Sequence, residues 1–491
     1  MPSFVHAFLP ELVLLAGALA LFVVSLGEAR HRLARAVALG VGLAAVAAAA
    51  LALDQRALLF SGAYRIDLFS QLLKLALSGG LVGVLLLGGG LPDIRGEVRA
   101  EYYLFLLLSV TGLVMLVSCV EIISLVVALE LSSFPLYLLV PMRRERAEQK
   151  SQMESAIKYI MFGVAANGIM LFGLSYLYGL TGSTHLPVML AALGPVARSP
   201  LAVAGLGLAF CGLYYKLAVF PFHFWTPDIY QGASNETAAL IASLPKVGAM
   251  AVLVRFVSLA TPDNATVAQV LALLAMASMF YGNLIALVQK DLKRMLGFSG
   301  IAHAGYALMG FVALDAAGYT AALYYIFGYA LMILACFVVI CRVSRDGTNV
   351  AIAELAGLHR RSPLLALTLL VGLFALAGVP PFVGFMAKLS LLTAALDRGH
   401  LVLVIVAVVN SAIAIYYYLQ VIRQAVFGAI DPSVPAEPIL LTWPTRVLCV
   451  ALIVGIVALG IAPGLVIDTI SGSLASVVSV ATSTAPAFLV R

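Results

Sequence analysis

The chain has 491 residues, 63% of them hydrophobic and 11% charged, with a formal net charge of +6. A soluble protein carries roughly 25% charged residues, so this composition, with a mean hydropathy of +1.08, excludes an ordinary soluble domain. The excess basic residues lie in short loops between apolar runs, which argues for a bilayer and against a nucleic acid as the surrounding partner.

Apolar runs of about 20 residues recur from end to end, and each suffices for one membrane-spanning helix. In lipid only helices and closed barrels satisfy their own backbone. A barrel would show alternating strands of about ten residues, so the unbroken runs predict an all-α polytopic membrane protein. In chain order the predicted spans are 6–27, 35–53, 67–90, 102–118, 120–141, 154–180, 201–225, 235–258, 266–288, 293–313, 317–341, 363–394, 401–427 and 445–467, fourteen in all. The first has Glu11 near its start and no basic segment before it, so it reads as a retained span rather than a cleaved leader. The small, polar tail 468–491 reads as interfacial. The predicted organisation is a three-helix segment over 1–100, a first repeat over 101–260, a second over 261–428, and a last helix with its tail over 429–491.

Fourteen spans place both termini on one side. Of the 29 basic side chains, eighteen fall in loops after odd-numbered spans, Arg30, Arg146, Lys150 and Lys293 among them. Six fall on the opposite side: Arg56, Arg65, Arg198, Arg255, Arg398 and Arg491. The positive-inside rule then predicts that both termini face away from the cytoplasm. The remaining five, Lys74, Lys158, Lys216, Lys246 and Lys388, lie within spans. A lysine at mid-membrane costs about 2.5–3.5 kcal/mol, so five of them together with Glu130 call for a polar interior.

The segments VFPFHFW (219–225) and VPPFVGF (379–385) match in Val, Pro, Phe and a final aromatic. Each interrupts a long span with proline, which removes a backbone hydrogen bond and breaks the helix. A repeat of five helices is odd in number, so the second copy is inverted. Inverted repeats with discontinuous helices are the architecture of ion-coupled transporters.

Glu130 and Lys216 come from spans five and seven of the first repeat. A neighbouring acid favours a charged lysine and burial opposes it, which suits a proton relay; a static ion pair is the alternative. Lys246 in span eight and Lys388 in span twelve read as relays. Lys158 in span six reads as a relay or as a lysine reaching the interface. Lys74 reads as snorkelling to the interface. His303 lies on span ten, the counterpart of span five, and sits roughly where the first copy has Glu130. A histidine suits a proton wire or a satisfied core. His223 either continues the path or caps the broken helix. Tyr416, Tyr417 and Tyr418 read mostly as packing, with one hydroxyl on a water path as the alternative, Asp228 as a helix-end acid and Glu121 as interfacial. The five cysteines form no CxxC pair or Cys/His cluster, and there is no P-loop, no dinucleotide fingerprint and no nucleophile elbow. No metal or cofactor site is expected.

The stretches ALELSSFPLYLL, KLAVFPFHFWTPDIYQGAS, SLPKVGA, QKDLKRMLGFSGIAHAGYALMG, ELAGLHRRSPLLAL, LAGVPPFVGFMAK and NSAIAIYYYLQVI resemble the N-type membrane subunits of bacterial NADH–quinone oxidoreductase, respiratory complex I. QKDLKRMLGFS alone is shared with the wider antiporter-like family. The resemblance spans residues 60 to 427. It implies fourteen helices, two inverted five-helix repeats and broken helices seven and twelve. It implies Glu130 and Lys216 as a modulating pair, Lys246 as central relay and Lys388 as second-half relay, with Lys158 and His303 on the same polar axis. It further implies a non-redox, proton-translocating subunit in the bacterial inner membrane, with both termini periplasmic. NADH, FMN, iron–sulfur clusters and quinone would sit on partner subunits. The expected partners are the antiporter-like subunit M, the small subunits J and K and, indirectly, the peripheral redox arm. One departure is GASNETAALIAS, with Glu236, where the family commonly has a proline-containing stretch. The single further helix after the repeats favours N or M, and the short N-terminal region favours N. The alternatives are a subunit of a multi-subunit cation/proton antiporter or a membrane-bound hydrogenase, and a purely structural scaffold.

Overall fold

The computed structural model describes residues 4–27, 31–144, 151–257, 265–428 and 438–483. Arg30, Arg146, Lys150 and Arg491, which enter the charge count, lie outside the described residues, as does the tail from 484.

Every predicted span has a helix. Twelve of the described helices are long and apolar enough to cross a membrane. The other two spans are Leu9–Ser25 and a helix in two halves, Pro363–Ala377 and Val383–Asp397. In order, spans one to six are Leu9–Ser25, His31–Leu51, Leu68–Leu87, Arg99–Leu116, Ile122–Leu139 and Ser151–Thr181. Span seven is Pro200–Leu217, and a short helix, Thr226–Gly232, follows its break. Spans eight to eleven are Asn235–Val257, Ala265–Ala286, Leu292–Val312 and Ala316–Val343. Span twelve is the two-part helix, and spans thirteen and fourteen are Leu401–Phe427 and Trp443–Ile461. A small hairpin, β1 (Ala57–Leu59) with β2 (Tyr64–Ile66), links spans two and three.

The two copies repeat each other down to individual bonds. Ile122 N bonds Thr184 O and Leu186 N bonds Val120 O; in the second copy Leu292 N bonds Val350 O and Ile352 N bonds Lys290 O. Glu121 caps span five through the Ser124 amide at 2.7 Å, and Asp291 caps span ten through the Arg294 amide at 2.8 Å. A Cβ on Gly112 would lie 2.4 Å from Ser132 N, and one on Gly282 would lie 2.5 Å from Ala302 N. Only glycine permits so close an approach of two helix backbones. This register sets Glu130 opposite Gly300, so His303 corresponds to Ser133, one turn beyond the position expected from chain order.

The breaks also match. Span seven ends with Ala218 in the left-handed region (φ 66°), and the first half of span twelve ends with Gly378 (φ 87°). Val219 N reaches back to Tyr214 O and Val379 N to Phe374 O, with Ala218 N on Tyr215 O and Gly378 N on Ala375 O. This pairing satisfies two of the carbonyls that each helix end leaves free. Cis peptides follow at Phe220–Pro221 and Pro380–Pro381.

Spans eight and ten are buried over their whole apolar length and form the centre of the bundle. Spans five, six and thirteen carry exposed apolar side chains outward, among them Val127, Met161, Leu171 and Val402.

Several expectations change. Lys74 does not snorkel: it is fully buried and pairs with Glu11 at 2.6 Å, so span one contributes a second intramembrane acid. Removing one partner of a buried pair costs about 3–5 kcal/mol. Lys293 and Arg255, counted as loop bases, are buried too. Lys293 Nζ donates to Ala233 O at 2.8 Å, and Arg255 Nη2 donates to Val117 O at 3.1 Å and faces Asp67 at 3.4 Å. Loop counting by chain order cannot see that a helix end lies beneath its neighbours. The tail does not begin at 468. It is a helix, Gly464–Ser483, that docks against spans three and eleven, with Ile470, Ser473 and Leu474 buried.

Candidate functional site: a buried polar row

Three residues spaced by three on span ten, Gly300, His303 and Tyr306, fall along one side of the helix. Lys246, from span eight, reaches the first of them: its Nζ donates to Gly300 O at 3.0 Å and lies 3.4 Å from Tyr329 Oη and 4.9 Å from that ring's centroid. Gly300 makes room for this. A Cβ there would sit 3.0 Å from both Lys246 Nζ and Tyr329 Oη.

His303 follows. Its Nδ1 is 2.6 Å from Tyr325 Oη and its Nε2 is 3.0 Å from Tyr418 Oη. Both ring nitrogens are therefore engaged, and the two phenols decide which carries the proton. The His303 ring lies 5.1 Å from Tyr329 and 6.2 Å from Tyr306. Tyr306 donates to Ala407 O at 2.9 Å.

Lys388 closes the row. Its Nζ lies 4.7 Å from the Tyr306 centroid and donates to Leu376 O at 3.2 Å and Ala377 O at 3.0 Å. These are among the last carbonyls of the first half of span twelve. A helix that ends inside the membrane presents unpaired carbonyls and the negative end of its dipole, and the ammonium satisfies both.

The first copy is built differently. Lys216, in the last turn before the break, reaches span five, where its Nζ donates to Ser133 Oγ at 3.0 Å and Leu129 O at 3.4 Å and also contacts Ser132 Oγ. Glu130 turns the other way and accepts from Asn167 Nδ2 of span six at 2.5 Å. Glu130 and Lys216 thus share span five without a direct ion pair. Glu130 lies half-buried in a stripe with Ile123, Val127, Phe134 and Leu138, all exposed on the outer face of span five. Proline at 135 deprives the Leu131 carbonyl of its usual helical donor in this same stretch.

Lys158 stands apart from the row. Its side chain is 37% exposed and pairs with Asp228 at 2.8 Å and Glu154 at 2.7 Å. Asp228 also takes Arg294 Nη1 at 2.7 Å, which makes it the helix-end acid expected from the sequence. Burial pushes the Asp228 carboxyl up, but its bonds to Lys158 and Arg294 outweigh that and hold it below the usual carboxylate range. His223 is buried against Phe220 and Tyr281, with ring centroids 5.3 Å and 4.2 Å away, and neither ring nitrogen bonds another group among the described residues. Its side chain therefore does not cap the break.

The GASNE departure makes a clamped turn. Ser234 Oγ accepts from Thr237 N at 3.2 Å and caps span eight. Arg143 Nη1 and Asn349 Nδ2 hold Gln231 O at 2.9 and 3.0 Å, while Arg143 pairs with buried Asp93. Glu236 is buried in the first turn of span eight. Tyr306, Tyr325 and Tyr329 are not legible as site residues, because nothing in the sequence separates a phenol that packs from one that bonds; Tyr418 is one of the three from which the sequence offers a single hydroxyl for a water path. Of the three tyrosines at 416–418, the first is 59% exposed, the second donates to Asn283 Oδ1 at 2.9 Å and the third holds His303. The described residues contain no group of three or more His, Cys, Asp or Glu placed to hold a metal.

The family model described as "NADH:quinone oxidoreductase/Mrp antiporter, TM" matches residues 119–414. A curated relative from Opitutus terrae, NADH-quinone oxidoreductase subunit N 2, is 66% identical over 98% of this chain and 100% of its own length. The subunit of the same name from Solidesulfovibrio magneticus is 45% identical over 94% of this chain and 97% of its own. Among solved structures, a chain of respiratory complex I from Thermus thermophilus with bound aureothin aligns at a TM-score of 0.79 and 32% identity, covering 94% of this chain and 98% of that one. A chain of the Mrp complex from Dietzia sp. aligns at 0.84 with 22% identity over 97% of this chain and 99% of that one, and shows a shared fold. The chain belongs to the antiporter-like family of membrane subunits, and within it to the N subunits of NADH–quinone oxidoreductase.

Proposed function

We propose that this chain is a proton-translocating, non-redox membrane subunit of an NADH–quinone oxidoreductase in a bacterial inner membrane. The electrons move on partner subunits that hold the NADH, FMN, iron–sulfur and quinone sites. The other antiporter-like and small membrane subunits of the complex are its neighbours, and both termini lie on the periplasmic side, as the distribution of basic loops suggests.

The observation that carries this reading is the row from Lys246 through Gly300, His303 and Tyr306 to Lys388, buried within the bundle. Three basic groups separated by neutral phenols, in a region of low dielectric, change one another's proton affinity when any of them changes charge. A proton gained at Lys246 disfavours one at His303, and one at His303 disfavours one at Lys388, so charge advances in steps. In the first copy Glu130 biases Lys216 across the serine-lined face of span five, and Lys216 hands on to Lys246. Lys158 acts at the membrane edge, with Asp228.

The test is proton pumping by inverted membrane vesicles carrying the assembled complex, with NADH oxidation followed in the same sample. Lys216→Ala and Glu130→Ala are expected to lower the pH gradient formed per NADH. Undiminished pumping with intact assembly overturns the reading.

A further inference from the structure

The Glu11–Lys74 pair belongs to neither repeat and takes no part in the path above. Both side chains are fully buried and 2.6 Å apart. Tyr64 donates to Glu11 Oε1 at 2.5 Å, and Lys74 Nζ stands 5.3 Å from the centre of the Tyr64 ring. These contacts gather on one carboxylate oxygen. The other, Glu11 Oε2, has no hydrogen-bond partner among the described residues. The same is true of both polar atoms of the Gln71 amide and of the Ser78 hydroxyl, although each residue is completely buried. Gln71, Lys74 and Ser78 are spaced by three and four on span three, so they share one face.

Buried polar atoms are nearly always hydrogen-bonded. Glu11 Oε2, the Gln71 amide and the Ser78 hydroxyl, with Lys74 Nζ held by the ion pair alone, therefore describe a site whose remaining bonds come from something other than the described residues. Water fits, because a buried water makes about three bonds, both donating and accepting. The other charged or titratable groups at its outer end are Asp67 with Arg65 and Arg255, which pair there, and Cys119, bridged to Tyr64.

The position matters. Lys74 lies seven residues past the Asp67 cap, about 10 Å into the span at 1.5 Å per residue. Deeper in, Gly80 lies against Leu244: a Cβ on Gly80 would be 2.2 Å from Leu244 Cδ2. Leu244 is two residues from Lys246, and Gly80 two from Ser78. Residues two apart on a helix point to opposite sides, so the face bearing Gln71, Lys74 and Ser78 is turned away from span eight and lies nearest the hairpin, through Tyr64.

We propose that Glu11, Gln71, Lys74 and Ser78 form a second protonatable site, holding water and exchanging a proton through Glu11 with the hairpin face. It rests on the reading of this chain as a proton translocator. A proton delivered by the water binds Glu11 at Oε2, the carboxylate becomes neutral, and its pair with Lys74 loosens while Lys74 keeps its charge. Loss of that proton to water restores the pair, with no other bond made or broken.

The experiment measures protons pumped per NADH oxidised in vesicles carrying the whole complex with Glu11→Gln, Lys74→Met, both together, or Lys216→Ala as a control. The double variant removes both charges and leaves none unpaired. It is expected to assemble and to pump at least twofold fewer protons per NADH. Full pumping by the double variant overturns the proposal and makes the pair a static clasp. If the double variant does not assemble, a high-resolution map of the wild-type complex decides: water bonded to Gln71 and Glu11 supports the site, and a dry, closed one overturns it. Full pumping by Lys216→Ala would overturn the translocation reading itself, whereas loss there with full pumping by the double variant overturns the second site alone.

Discussion

Lys246 and Lys388 meet opposite ends of one face of span ten. The first donates to Gly300 O at 3.0 Å and the second faces the Tyr306 ring at 4.7 Å. Six residues of helix separate the two contacts, about 9 Å along the axis. His303 fills the space between them. The lysines belong to different repeats, and span ten is where they come under one electrostatic field.

Gly300 is the tightest point of that relationship. Gly300→Ala places a methyl 3.0 Å from the Lys246 ammonium and the Tyr329 hydroxyl, and overpacking of this kind costs roughly 1–3 kcal/mol. We expect an assembled complex whose proton pumping falls severalfold. Vesicle acidification normalised to NADH oxidation checks this, and unchanged pumping would show that the lysine has another place to go.

His303 is held by two phenols, and each can be removed without changing volume much. A neutral hydrogen bond is worth about 0.5–1.5 kcal/mol. Tyr418→Phe and Tyr325→Phe should each lower pumping, roughly two- to tenfold by that measure. The double variant should lower it further, because it leaves both ring nitrogens unpaired. Infrared difference spectra of the imidazole ring on a pH step provide an independent readout.

Asn167 holds Glu130 where it faces away from Lys216. Asn167→Ala frees the carboxylate without removing its charge. Pumping should fall less than in Glu130→Ala, and the pH profile should move, since the acid that biases Lys216 is no longer fixed. An effect equal to Glu130→Ala would mean that the bond, rather than the charge, is what counts.

Asp228 provides a test of stability against pH. Its carboxyl is held below the usual carboxylate range by Lys158 and Arg294, which prevail over burial. A depressed folded-state value means that the contribution is complete above the unfolded value, about pH 4, and is lost as pH falls through the folded one. Lys158 is more than a third exposed, so the pairs behave as partly screened surface bridges worth about 0.2–1 kcal/mol each. Asp228→Asn should lower the thermal midpoint at pH 7, with the difference from wild type vanishing in acid. Differential scanning fluorimetry in detergent across that range measures it.

Much of this protein was set by its composition and local pattern. Runs of about 20 apolar residues determine helices in a bilayer, because nothing else satisfies the backbone there. The two proline-bearing motifs marked where spans seven and twelve break, but proline alone did not decide it: spans five and eight run unbroken through Pro135 and Pro245, and the breaks fall at left-handed Ala218 and Gly378. Lysines at mid-span marked the polar interior, because their cost in lipid demands an answer. What answers each lysine was decided only in three dimensions. Lys74 looks like an interfacial lysine until Glu11 arrives from another span. Glu130 and Lys216 look like a pair until Asn167 takes one and two serines take the other. Lys158 looks intramembrane until Asp228 and Glu154 bind it at the edge. Spacing along one helix tells which residues share a face. Which face of a second helix meets it depends on close approaches such as Gly112 to Ser132 and Gly282 to Ala302, and those are properties of the packed bundle rather than of any single segment.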